Sequence, residues 1–132
     1  MRMSLIAVAF SVVFASPSFA QQCLHAGAES PDQAVRRREA LSAARLVNTL
    51  QANQPGAAQR RYLKHEELVA AAPGVPATFK LVPGENIVPG WKLTLDVTPK
   101  GYWFSIEDTA DPCGFRYISN EQGLIFTAEP LR

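Results

Sequence analysis

Hydrophobic and polar positions change period partway along the chain, and that change predicts two kinds of element. Between Ser30 and Gly56 the apolar residues Ala40, Ala43, Ala44, Val47 and Leu50 recur at spacings of three and four, while Arg38, Ser42, Arg45 and Thr49 fall on the other side. This is the signature of a helix with one apolar stripe. Ser30-Pro31-Asp32-Gln33 supplies its start, with Ser at the N-cap, Pro at the first helical position and Gln where a capping box needs its reciprocal partner. The helix is expected to stop between Asn53 and Gly56. A second helical segment is expected from Ala58 to Ala71, with Tyr62, Leu63, Leu68 and Val69 as its apolar contacts before Pro73-Gly74 ends it.

From Val75 onward the period is two, and Pro-Gly, Pro-Lys-Gly and Asn-Glu-Gln-Gly turns separate runs rich in aromatic and β-branched residues. Trp91, Leu93, Leu95 and Val97 share one face of a strand, with Lys92, Thr94 and Asp96 on the other. In the next strand Tyr102, Phe104 and Ile106 alternate with Trp103, Ser105 and Glu107. Segments 115–119 and 124–127 form a closing hairpin, and Thr78–Val82 is a candidate edge strand. The pattern predicts an α+β domain: a long N-terminal helix, plus a short second helix, packed on a four- to five-stranded antiparallel sheet.

The N-terminus adds a location. Arg2, an apolar run from Leu5 to Ala15 and the small residues around Ala20 read as a removable export signal over residues 1–20, leaving residues 21–132 as one domain. The apolar run falls short of the about 20 residues needed to span a bilayer, so no membrane span is expected in the mature form. Periplasm or secretion to the outside is the expected destination. Hydrophobic residues make up 47% of the chain and charged residues 19%, enough apolar content to fill one core and too much for a disordered or coiled-coil chain. Removing residues 1–20 takes away only Arg2 among the charges, so 13 basic and 12 acidic residues become a neutral balance. Nucleic acid is not expected as a partner, because its binding rests on excess positive charge.

Export also decides how the cysteines are read. In an oxidising compartment Cys23 and Cys113 are expected to pair as one structural disulfide, tying the mature N-terminus to the turn at Asp111-Pro112-Cys113-Gly114. Other candidate chemistry is sparse. His25 and His65 are each isolated in sequence, without the HExxH spacing of a zinc site. Glu107, Asp108 and Asp111 lack the ligand ladder of a calcium loop and read as a solvated acidic turn. Arg36-Arg37-Arg38, with Arg45, Arg60, Arg61 and Lys64, is the one basic cluster; three consecutive helix residues diverge, and Asp32, Glu39, Glu66 and Glu67 lie near, so a solvated face is expected. No catalytic residue, metal site or cofactor is expected, and the chain is not read as an enzyme. Trp103, Arg116 and Tyr117 form a candidate binding surface if they lie on the solvent side of their strands; alternation leaves open whether a second layer covers them.

Three segments carry a resemblance to a known family. Glu39 to Gln51, with its Asn48-Thr49 pair, resembles the end of a pilin helix. Arg61-Tyr62-Leu63 with Glu67-Leu68 resembles the short segment that follows it. Phe115 to Phe126 is similar to a closing pilin hairpin. Over residues 36 to 127 the chain resembles the globular part of type IV pilins and pseudopilins. The resemblance implies a helix across an antiparallel sheet, and protein partners such as pilus or secretion-system subunits. It departs from the family at the start, where an ordinary export signal stands in place of a prepilin leader and a long anchoring helix. The expected function is that of an exported, non-catalytic interaction protein, accessory to a filament or secretion machine. The alternative is a soluble periplasmic or secreted module binding a small ligand or peptide.

Overall fold

The structure is a computed structural model and describes residues 23–25, 28–71, 79, 81 and 86–129. The expected export signal lies outside the described residues, as does most of the expected edge strand 78–82, of which Phe79 and Leu81 have no strand conformation. Helix α1 runs from Pro31 to Asn53 and opens with the expected capping box: the Gln33 N–H donates to Ser30 Oγ and the Ser30 N–H to Gln33 Oε1. Ala40, Ala43, Ala44 and Val47 are wholly buried, and Arg38, Ser42, Arg45 and Thr49 are exposed, as the stripe requires.

Five strands follow as a simple antiparallel meander: β1 (Asn86–Val88), β2 (Trp91–Thr98), β3 (Gly101–Asp108), β4 (Arg116–Asn120) and β5 (Ile125–Ala128), hydrogen-bonded in that order. Val88 pairs with Trp91 across Pro89-Gly90, where Gly90 has φ 81°, the value that the third position of a type II turn demands. A Cβ on Gly90 would also stand 2.4 Å from Arg36 Nη2. Thr98 pairs with Gly101, and its Oγ1 accepts the Lys100 and Gly101 N–H groups to close the β2–β3 hairpin. The inner face presents Trp91, Leu93, Phe104, Ile106, Phe115 and Tyr117 to α1, all buried. Each such side chain contributes on the order of 1.5–3 kcal/mol by leaving water.

The second helical segment departs from expectation. Residues 57–59 make one 3-10 turn, Arg60 takes a left-handed backbone (φ 57°), the chain continues without helix through Lys64, and α2 spans only His65–Ala70. Two glutamines at the end of α1 cause the break. Gln51, fully buried, donates from Nε2 to the Leu63 carbonyl and accepts the Leu63 N–H at Oε1, both at 2.8 Å. Gln54 donates to the Arg61 carbonyl and accepts the Gly56 N–H at 2.6 Å. Peptide groups that a continuous helix would pair internally are taken by side-chain amides. Replacing Gln51 with Leu strips both Leu63 peptide groups of their partner, and we expect a loss of about 2 to 4 kcal/mol in urea unfolding.

Cys23 and Cys113 form the expected disulfide, with a sequence separation of 90. In the chain-entropy account a loop of that length is worth about 4 to 5 kcal/mol. Reduction, or Cys113→Ser, should lower the melting temperature by more than about 15 °C in calorimetry; an unchanged melt on reduction would sink the stabilising role.

Candidate functional site

Sheet register decides where the aromatic candidates go. Trp103 pairs with Asp96 and Asn120, Ser105 with Thr94 and Ile118, and Glu107 with Lys92 and Arg116; Phe126 pairs with Ile118. All these residues share the sheet face opposite α1, because alternate residues of a strand point to alternate faces. Trp103 is 45% exposed, Phe126 54%, and Leu124, just before β5, 56%. The Trp103 indole is fixed by donating from Nε1 to Asp96 Oδ2 at 3.2 Å. Arg116 lies on the same face, held 3.2 Å from Glu107 Oε1. Beside Trp103 a depression of about 300 Å³ is lined by Thr98, Lys100, Tyr102, Asn120 and Glu121.

Tyr117 does not join this surface. One residue beyond Arg116, it points to the inner face opposite Ile106, is 5% exposed, and stacks on Trp91 with centroids 6.0 Å apart. The covering layer is α1 rather than the second helical segment: the Tyr117 hydroxyl donates to the Arg37 carbonyl at 3.4 Å. Burial pushes its phenol upward. Tyr102 is likewise internal; burial, with Tyr62 and Glu121 nearby, pushes it to about 12. Its hydroxyl donates to Asn48 Oδ1 at 2.9 Å, and Asn48 Nδ2 in turn donates to Ser119 Oγ and the Gly123 carbonyl.

Of the acidic turn, Glu107 stays half-exposed, but the two aspartates are not solvated. Asp108 is 2% and Asp111 7% exposed, and both are hydrogen-bonded on several sides. Asp108 accepts the Ala110 N–H at 2.9 Å, lies 3.3 Å from Arg36 Nη2 and sits 2.9 Å from His25 Nε2. The other ring nitrogen of His25 meets Glu29 Oε1 at 2.7 Å, and the ring rests on Phe115 with centroids 4.3 Å apart. His25, isolated in sequence, is thus clamped between neighbouring Glu29 and the remote Asp108 and Phe115. Asp111 accepts the N–H groups of Leu24, Cys113 and Phe115. Together with the disulfide these bonds fasten the N-terminal segment to the sheet end. Among the described residues no group of three His, Cys, Asp or Glu side chains is arranged to hold a metal ion.

The basic cluster divides in two. Arg36 and Arg37 pair with Asp108 and Glu29, neither of which lies among the acidic neighbours expected to neutralise them. Arg60, Arg61 and Lys64 stand apart on the loop before α2. His65 is partly covered rather than freely exposed: its Nδ1 is buried without a hydrogen-bond partner, and burial lowers its pKa against the opposing pull of Glu66. His25 and Glu29 are only four residues apart, but nothing in sequence spacing signals that Asp108 joins them, since that contact spans 83 residues. No protein-family model matches the sequence, and no curated protein or solved structure gives a significant match.

Burial alone would raise the Asp111 carboxyl, but the N–H groups of Cys113, Leu24 and Phe115, with His25 adding to them, hold it below its ordinary 3.8. A lowered folded pKa means stability that is complete above the unfolded value and is lost as pH falls through the folded one. The stability difference between wild type and Asp111→Asn should therefore be widest above about pH 5 and narrow below about pH 4 in urea titrations. A difference independent of pH would contradict this role.

Proposed function

We propose that the protein is an exported, non-catalytic domain that works through protein contacts, as an accessory of a pilus-type filament or secretion machine, with the outer sheet face as its contact surface. The observation that carries this reading is the exposure of Trp103, Leu124 and Phe126 on or beside the sheet face opposite α1. Large apolar side chains gathered on a rigid sheet are what a protein partner buries at the centre of an interface. Arg116 and Glu107 lie farther along the same face, paired with each other as a polar rim. Among the described residues β5 pairs only with β4, so its outward peptide groups are open to a partner strand as well.

Other features accord with export and with the pilin resemblance. The Cys23–Cys113 bond is consistent with an oxidising extracytoplasmic location. Among the described residues no helix is long and apolar enough to cross a membrane. A helix laid across an antiparallel sheet is the arrangement that the resemblance leads one to expect, although fold alone carries no function.

The test is cross-linking in the native cell with a C-terminal tag, comparing wild type with a Trp103→Ser, Phe126→Ser double variant. Wild type should recover pilin or secretion-system subunits, and the variant should recover them at least about tenfold less while its stability stays within about 1 kcal/mol. Failure of wild type to recover such subunits, or equal recovery by the variant, overturns the reading.

A further inference from the structure

The second basic group lines a cleft. Arg60, Arg61, Tyr62 and Lys64 from the α1–α2 connection, with Glu67 of α2, face Val97, Thr98 and Pro99 of the β2–β3 hairpin across a space of about 580 Å³. That volume lies within the range of small-molecule sites. Three cations and one carboxylate line it, in a chain whose total charge is close to zero. The carboxylate offsets little. Arg61 Nη2 is 3.6 Å from Glu67 Oε1, with the arginine side chain 77% exposed, and such pairs are weak in water. Among the described residues the side chains of Arg60 and Lys64 meet no carboxylate within salt-bridge distance.

The loop that carries these cations is held rather than loose. Buried Gln51 grips both peptide groups of Leu63, and Gln54 grips Arg61 and Gly56. Arg60 is also the one described non-glycine residue with a positive φ, a conformation that costs on the order of 1 kcal/mol for an ordinary side chain and persists only where the surroundings enforce it. A strained backbone and two amide clamps fix the loop that sets three cations around one cleft. Arginine guanidinium groups present forked N–H pairs that match the spacing of carboxylate and phosphate oxygens.

We propose that this cleft binds a small multivalent anion through its carboxylate or phosphate oxygens, with Arg60, Arg61 and Lys64 as charge partners and Tyr62 as an aromatic wall. Nucleic acid fits poorly, because Tyr62 is packed edge-on against Tyr102 with centroids 4.9 Å apart instead of presenting an open stacking platform. The site goes beyond the protein-contact reading and uses none of its residues.

The experiment titrates the oxidised, isotope-labelled protein with citrate and, separately, with inorganic phosphate at low ionic strength, following backbone amides by NMR. Saturable shifts confined to residues 60–67, 97 and 98, with a Kd below about 1 mM for at least one anion, are expected. The tighter of the two identifies the oxyanion chemistry. Arg60→Asn with Lys64→Gln should weaken binding at least about tenfold, Asn being chosen because it tolerates the left-handed backbone. The exposed pair Arg45→Gln with Lys92→Gln removes the same charge elsewhere and should leave binding within about twofold. Lys64→Gln alone, which leaves Arg60 untouched, serves if the double variant misfolds, and should weaken binding at least about threefold. No saturation by about 10 mM of either anion, or equal weakening by the control pair, overturns the proposal.

Discussion

A helix that meets a sheet through alanines comes close but meets little relief. Ala40, Ala43 and Ala44 have no rotamers to interlock, so the apolar contact alone sets the distance between layers and leaves sliding and rotation of α1 weakly opposed. Directional bonds supply what the stripe lacks. Asn48 ties α1 to Tyr102 of β3, Ser119 of β4 and the carbonyl of Gly123, and Arg36 ties its first turns to Asp108. The large side chains of the sheet can then fill the interlayer space in one arrangement.

From that constraint the two ends of the molecule acquire different characters. At one end Asp108, Asp111, His25 and the disulfide gather the N-terminal segment onto the sheet; Arg36 and Arg37 face Asp108 and Glu29 there, and Asp111 is met by three backbone N–H groups. At the other end Gln51 and Gln54 shape a loop whose cations lack that compensation. The outer face of the sheet is a third region, apolar at Trp103 and Phe126, and it shares no lining residue with the cleft except Thr98, which sits between them.

Much of the architecture was legible in one dimension because it rests on periodicity. Ser30 to Gln33 announce a capped start, the alanines mark the buried side of α1, and alternation in Trp91 to Val97 and Tyr102 to Glu107 assigns faces before register is known. What stayed hidden depends on partners remote in sequence. Asp111 looks like a solvated turn residue until three N–H groups close on it. Gln51 looks like a helix end until Leu63 folds back. Tyr117 was ambiguous because alternation fixes relative sides, and only the pairing of Ile106 with Tyr117 placed it under α1. The break at Arg60 was illegible for a nearer reason: the Gln51 and Gln54 amides at the end of α1 take peptide groups that local propensity would leave to a helix.

The position of Cys113 divides the sheet topologically. The covalent ring closed by Cys23 and Cys113 contains α1, α2, β1, β2 and β3, but β4 and β5 begin after it and hang from it as a tail. The cross-link therefore shortens the unfolded excursions of the first three strands and does nothing for the last two, which are retained by non-covalent ties: the β3–β4 ladder, the Arg116–Glu107 pair, the Asn48 bonds to Ser119 and Gly123, and the packing of Tyr117 under α1. Cooperative opening has a built-in seam along that ladder, and Phe126 and Leu124 ride on the side of it that the bond leaves free.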